Sequence, residues 1–126
     1  KIDFVSVDAS PFCYANKLYL NGTEVIELTI PSDISTIKAY TFRHCTSLTS
    51  VTIPDSVTSI GEEAFYNCIS LTSVYCKPTT PPAGADGMFS LAASGRKIYV
   101  PRNSVSAYKS ASGWNSYASY IEGYDF

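Results

Sequence analysis

The hydrophobic positions of the chain recur at a spacing of 23 residues. Shifting the sequence against itself by this distance places residues 31–53 on residues 54–76. The identical positions are Pro31/Pro54, Ile37/Ile60, Phe42/Phe65, Cys45/Cys68, Ser47/Ser70, Leu48/Leu71, Thr49/Thr72, Ser50/Ser73 and Val51/Val74. Most of these residues are apolar, and all of them keep a fixed phase. The pattern therefore indicates structural units that stack on one another and share one core.

Within one unit, alternating polarity predicts a short β-strand. After Leu48, the inward positions are Val51 and Ile53, and the outward positions are Ser50 and Thr52. Successive side chains of a strand point to opposite faces, so this alternation buries one face and leaves the other in solvent.

The residues that follow the strand predict a turn and a short helix. Pro54 ends the strand because it has no N–H to donate to a neighbour. The segment Ser59-Ile60-Gly61-Glu62 has the pattern of a capping box and predicts a helical turn that continues through Phe65. Glu62 and Glu63 then favour the positive end of the helix dipole, since adjacent residues on a helix diverge too much to form an acid/base pair.

The same phase extends toward both ends of the chain and predicts five strands, centred near Val5, Leu28, Val51, Val74 and Ile98. Between the first two strands, Asn-Gly at 21–22 favours a type I′ turn and predicts a hairpin over residues 17–23. Between the last two, prolines and glycines predict a loop. The residues expected to fold back from this loop into the core are Met88, Phe89 and Leu91.

The residues after Pro101 lose the repeat and predict a C-terminal cap. Asn103 or Ser104 can cap a helix, which Gly113 ends, and a second short amphipathic turn follows. The inward residues of the two elements are Val105, Tyr108, Ala111, Trp114, Tyr117 and Ile121. Such a cap is needed because an open last unit exposes both its core and an unpaired strand edge.

One strand and one helical turn in 23 residues fall in the size range of leucine-rich repeats. We therefore predict a leucine-rich-repeat solenoid in which short parallel strands form one sheet face, with short helical turns and loops opposite. The whole chain, residues 1–126, forms one domain in this interpretation. It divides into a degenerate, hairpin-like N-terminal repeat at 1–30, two regular repeats at 31–76, a degenerate repeat with a Pro/Gly loop at 77–101, and the cap at 102–126.

Composition supports a folded chain and excludes two classes of partner. Hydrophobic residues make up 45% and charged residues 16% of the sequence, which is too apolar for disorder. The formal net charge is −2 and the basic residues are scattered, so the basic stripe of a nucleic-acid binder is missing. No apolar run approaches the ~20 residues that span a bilayer. No export signal is visible, so we expect a mature form or an excised domain.

The sequence resembles the BspA-like leucine-rich repeats of bacterial, Bacteroides-type surface proteins. The resemblance lies in LTSVTIPDSVTSIGEEAFYNCISLTSVYCKPTTPP at 48–82 and KIYVPRNSVSAYKSASGW at 97–114. It implies a secreted or cell-surface location and adhesion to host proteins or other cells. The sequence departs from the regular pattern at Lys38, which stands where the next repeat has Gly61.

The cysteines and the single histidine predict structure rather than chemistry. Cys45 and Cys68 share one phase, so they are either a disulfide across neighbouring units or two thiols in a ladder of buried fillers, which we favour. Cys76 takes an inward strand position and is expected to be a third buried thiol, whereas the repeat assigns no place to Cys13. His44 precedes Cys45 at the phase of an asparagine, and we expect a turn residue there rather than a nucleophile or metal ligand.

The outward strand positions form the candidate binding surface. One file contains Ser6, Thr29, Thr52, Tyr75 and Tyr99, and the next contains Phe4, Glu27, Ser50, Ser73 and Lys97. Stacking makes Tyr75 and Tyr99 neighbours, and tyrosines are enriched at binding hot spots. The alternative is that tyrosine and threonine are simply good strand formers.

We therefore expect a non-enzymatic interaction module that binds a host or microbial protein through its sheet face, with no cofactor, metal site or catalytic residues. The alternatives are a carbohydrate-binding module that uses Tyr75 and Tyr99, and a structural spacer within a larger surface protein. The aromatic residues of the tail either cap the last repeat or form a second carbohydrate platform. They are Tyr108, Trp114, Tyr117, Tyr120, Tyr124 and Phe126.

Overall fold

The computed structural model describes residues 13–14, 17–20, 23–85 and 87–126. Its strands are β1 (Cys13–Tyr14), β2 (Lys17–Leu20), β3 (Thr23–Val25), β4 (Glu27–Thr29), β5 (Thr36–Ile37), β6 (Ser50–Ile53), β7 (Ser59–Ile60), β8 (Ser73–Cys76), β9 (Lys97–Pro101) and β10 (Ile121–Tyr124). Helical structure in the described residues consists of α1 (Val105–Ser110) and two 3-10 helices (Arg102–Ser104 and Asn115–Tyr120).

Five parallel strands form the main sheet, in the order β10-β9-β8-β6-β4. Its central register aligns Leu28, Val51, Val74, Ile98 and Ile121, which all point into the core. The predicted strands near Leu28, Val51, Val74 and Ile98 are confirmed, and the one near Val5 lies outside the described residues. The prediction of a turn at Ile121 was wrong, because this residue begins β10 and pairs with Ile98.

A second, two-stranded parallel sheet runs beside the first. β5 pairs with β7, so that Ile37 lies opposite Ile60, and Ser59 forms a further bridge to Ala83. The amide of Gly61 donates to the carbonyl of Ile37 at 2.7 Å. This close approach needs glycine, because a Cβ at position 61 would lie 2.3 Å from the backbone nitrogen of Ala39.

The predicted helical turn after Ser59 was wrong. Ser59 and Ile60 form a strand, and residues 62–67 form turns in which Glu63 and Asn67 have φ of 52° and 61°. A capping box describes bonds within one segment, whereas here the amide of Phe65 donates to the carbonyl of Met88 at 2.9 Å. The bonds between segments replace the helix.

Turns with positive φ form a third side of the structure. Tyr40, Glu63 and Gly87 have φ of 65°, 52° and 70°, and the column beside them, His44, Asn67 and Leu91, has φ of 65°, 61° and 63°. The segment after Cys76 therefore repeats the backbone of the two before it, although its composition predicts a loop. Met88 and Phe89 are buried as predicted, but the inward prediction for Leu91 was wrong, since its side chain is 55% exposed.

A ladder of aromatic rings fills the core behind these turns. Phe42, Phe65 and Phe89 stack with centroids 5.2 and 5.4 Å apart and planes inclined by 13°. Trp114 and Tyr117 then close the ladder, at 5.9 and 5.8 Å from the ring of Phe89. The predicted inward residues of the C-terminal cap thus cover the end of the core.

Polar atoms of the cap also bind the backbone of the last segment. The hydroxyl of Tyr108 donates to the carbonyl of Pro78, and the indole N–H of Trp114 donates to that of Pro82 at 2.7 Å. The predicted helix is confirmed as α1, but the hydroxyl of Ser104 does not cap it. Instead this hydroxyl donates to the carbonyl of Thr79 at 2.7 Å.

At the other end of the described chain, β1, β2 and β3 form an antiparallel sheet. Leu20 lies opposite Thr23, which confirms the predicted hairpin, while its Asn-Gly turn lies outside the described residues.

Tyr108→Phe tests the role of the cap. Removing the hydroxyl leaves the buried carbonyl of Pro78 without this donor, so we expect the free energy of unfolding to fall by about 1–3 kcal/mol. Urea unfolding followed by circular dichroism measures the change. Tyr120→Phe removes a hydroxyl from the same cap and serves as the control, with an effect within about 0.5 kcal/mol. Equal midpoints for the two variants would contradict the assigned role.

Candidate functional site

The outward residues of the main sheet lie in two files. Register places Thr29, Thr52, Tyr75, Tyr99 and Glu122 side by side in one file, and Glu27, Ser50, Ser73 and Lys97 in the other. The structure therefore brings together the predicted sheet-face residues that it describes, and Phe4 and Ser6 lie outside them. Equal spacing between matched positions produces this alignment, since each strand pairs with its neighbour without a slip.

Tyr75 and Tyr99 form a stacked pair at the wide end of the first file. Their ring centroids are 5.0 Å apart and their planes are inclined by only 16°. Each ring thus covers one face of the other, and the pair presents ring edges toward the solvent side of the sheet. Both residues are half-buried.

Sequence reasoning did not connect two tail residues with this pair. The Tyr124 ring lies 5.5 Å from Tyr75 and 5.4 Å from Tyr99, and Phe126 lies 4.8 Å beyond it. We call these four residues the aromatic cluster. The signal that could have found Tyr124 is the 23-residue step from Ile98 to Ile121, which extends the strand pattern into the tail.

The tail aromatic residues divide into two groups. Tyr108, Trp114 and Tyr117 are buried in the cap, whereas the Tyr124 and Phe126 side chains are 41% and 50% exposed. Tyr120 is half-buried, and the guanidinium of Arg96 lies 4.1 Å from its ring centroid. Capping therefore accounts for the first group and leaves Tyr124 and Phe126 at the surface.

Two ion pairs neutralise the charges beside the aromatic cluster. Lys97 Nζ lies 2.6 Å from Glu122 Oε2, and this hydrogen bond raises the pKa of Lys97. Arg102 donates to both carboxylate oxygens of Asp125, at 2.9 and 3.2 Å, which lowers the pKa of Asp125. The surface around the cluster therefore combines aromatic rings with paired charges.

The cysteines required a correction. Cys45 is disulfide-bonded, so the prediction of a buried thiol at this position was wrong. The alternative bond to Cys68 was also wrong, because Cys68 and Cys76 are free and buried. Shared repeat phase cannot reveal a bond to a residue outside the regular repeats. The side chain of Cys13 lies outside the described residues.

The two free thiols are structural. Cys68 Sγ donates to the carbonyl of Phe42 at 3.2 Å, and Cys76 Sγ lies 3.5 Å from the hydroxyl of Tyr108. Burial raises the pKa of each thiol to about 12, because the apolar surroundings disfavour the thiolate. A nucleophilic cysteine needs the opposite shift.

The turn column contains polar contacts. His44 has the positive φ of a turn residue, and its Nδ1 lies 2.8 Å from Asn67 Nδ2. The interpretation of Glu62 and Glu63 as helix-dipole charges was wrong, because residues 62–67 form turns. Glu63 instead forms an ion pair with Arg43 at 3.3 Å, and Glu62 accepts a hydrogen bond from the hydroxyl of Tyr40 at 3.2 Å, which raises the pKa of Tyr40.

Two searches of the described residues bear on function. Within them, no three His, Cys, Asp or Glu side chains are grouped so that they could hold a metal ion. Every helix in the described part of the chain is too short or too polar to cross a membrane.

Comparison with protein families agrees with the parallel strands and their register. The family model for the BspA type leucine rich repeat region matches residues 14–116 in six copies. The chain belongs to the BspA-type leucine-rich-repeat family. Such repeats indicate a protein-interaction module, are generally non-enzymatic, and typically occur in surface-associated proteins. No curated protein matches the chain.

Thiol counting tests the assignment of the cysteines in this BspA-type chain. At pH 8 the native protein should not react with Ellman's reagent within minutes, because both free thiols are buried and have a pKa of about 12. Unfolded in urea without reductant, the chain should show two thiols. After reduction it should show all four cysteines. Four thiols before reduction would contradict the disulfide at Cys45.

Proposed function

We propose that this chain is a secreted or cell-surface module of a bacterium that binds a host or microbial protein through the face of its main sheet, in an adhesion-type role. In this proposal residues 1–126 form one leucine-rich-repeat solenoid, which ends in the cap at 102–126. The stacked pair of Tyr75 and Tyr99 is the observation that carries the proposal.

The chemistry of the sheet face suits a protein partner. Tyrosine supplies a large apolar surface and a polar tip at a low cost in side-chain entropy, and hot spots in protein interfaces are enriched in it. The stacked pair is already ordered, because each ring is held by the other and by Tyr124. Binding then requires little further loss of rotamer freedom.

The neighbours of the pair support the same interpretation. Thr29 and Thr52 continue the file with hydroxyl groups, and Ser50 and Ser73 line the next file. The nearby charges of Lys97 and Glu122 are paired with each other at the rim. Hydroxyl groups around an aromatic centre give a partner hydrogen bonds without requiring the burial of an unpaired charge.

The stacked geometry disfavours the carbohydrate alternative at this site. A sugar binds an aromatic residue through an open ring face, but Tyr75 and Tyr99 cover one face of each other. A protein side chain can pack against ring edges as well as faces, because aromatic pairs tolerate edge-to-face contacts.

A binding screen against extracellular-matrix proteins and mucins tests the proposal, with Tyr75→Ala/Tyr99→Ala as the principal variant. We expect the variant to weaken a bound partner by more than about tenfold, as loss of a hot spot does. Surface plasmon resonance measures the affinity, and a thermal melt checks that each variant is folded.

Tyr40→Ala/Tyr66→Ala is the matched control, because it removes two half-buried tyrosines from the turn column. This variant should keep the affinity of the original chain. Equal losses in both double variants would refute the assignment to the sheet face. If no tested protein bound or raised the melting temperature, the spacer alternative would be favoured, since any ligand of the native state stabilises it.

A further inference from the structure

A groove lies next to the aromatic cluster, where the chain leaves β8 and β9. It has a volume of about 460 Å³, which falls in the range typical of small-ligand sites. Its lining includes the rings of Tyr124 and Phe126, the side chains of Lys77 and Asn103, and the Arg102–Asp125 ion pair. None of these residues belongs to the two files of the sheet face.

The aromatic part of the groove differs from the stacked pair. Tyr124 and Phe126 are inclined by 53°, so neither ring lies flat on the other, and their side chains are 41% and 50% exposed. The ring of Tyr124 is supported by a T-shaped contact with Tyr75. The groove therefore offers exposed aromatic surface on an ordered base.

The polar part of the groove supplies hydrogen-bond donors and acceptors together. Lys77 and Asn103 are exposed donors. Asp125 receives one hydrogen bond from Arg102 on each oxygen, at 2.9 and 3.2 Å. Each carboxylate oxygen can accept a further bond, so Arg102 holds Asp125 in position without exhausting it.

Charge narrows the ligand class further. Arg102 and Asp125 cancel, and in the described part of the chain Lys77 forms no ion pair. The side chains of the groove thus sum to one positive charge, which favours a ligand with an anionic group.

We propose that this groove binds a short acidic oligosaccharide. The apolar C–H face of a sugar ring packs on Phe126 and Tyr124, its hydroxyl groups bond to Asp125 and Asn103, and its carboxylate or sulfate group pairs with Lys77. This site is separate from the proposed protein-binding face, so either can fail without the other.

Titration with 3′-sialyllactose, a sulfated chondroitin disaccharide and lactose tests the proposal by ligand-observed NMR. We expect the two acidic sugars to bind with a Kd below about 1 mM and lactose at least about threefold more weakly. Phe126→Ala should weaken all three by about tenfold, because the loss of a packed aromatic ring costs affinity regardless of charge. This side chain is half exposed, so the variant should keep its melting temperature.

Lys77→Gln separates the charge from the aromatic contact. It should remove the difference between 3′-sialyllactose and lactose while leaving the binding of lactose unchanged. Lys109→Gln, which alters an exposed lysine on α1, is the matched control and should change neither affinity. The proposal is overturned if none of the three sugars binds at about 10 mM. It is equally overturned if Phe126→Ala binds them as the original chain does, or if lactose binds as tightly as the acidic sugars.

Discussion

The structure depends on hydrogen bonds that each segment of the chain forms with the next one. They occur on all three sides: Thr72 donates to Thr49 at 3.0 Å beside the main sheet, Gly61 donates to Ile37 at 2.7 Å in the second sheet, and Phe65 donates to Met88 at 2.9 Å among the turns. A buried amide left without a partner costs about 1–3 kcal/mol. Local preferences therefore yield to these bonds, which is why residues such as Glu63 adopt a positive φ that side chains disfavour.

The same requirement explains the chemistry of the cap. The last segment has carbonyls at Pro78, Thr79 and Pro82 with no following segment to donate to them, and the side chains of Tyr108, Ser104 and Trp114 take that place. The cap thus substitutes side-chain donors for backbone donors while its rings cover the end of the phenylalanine ladder. One set of aromatic residues closes the core and completes the hydrogen bonding, and a different set, near Tyr124, remains at the surface.

Sequence reasoning succeeded where one period governed every position. The strands near Leu28, Val51, Val74 and Ile98 and the two outward files follow from it, because equal spacing places equivalent residues side by side. It failed where contacts between segments overrode a local signal, as at the supposed capping box of Ser59. It also missed β10, a four-residue strand with one buried apolar side chain, and with it the groove, which forms only when the cap brings Phe126 beside Lys77.

The direction of these bonds has a mechanical consequence. In a parallel sheet the hydrogen bonds run from strand to strand, so here they lie along the direction in which the segments follow one another. A force pulling in that direction loads the bonds at one junction at a time, and segments peel away in sequence at low force. A force along the strands loads every rung of a ladder together in shear. The resistance of this protein to tension is therefore set by the angle at which it is held.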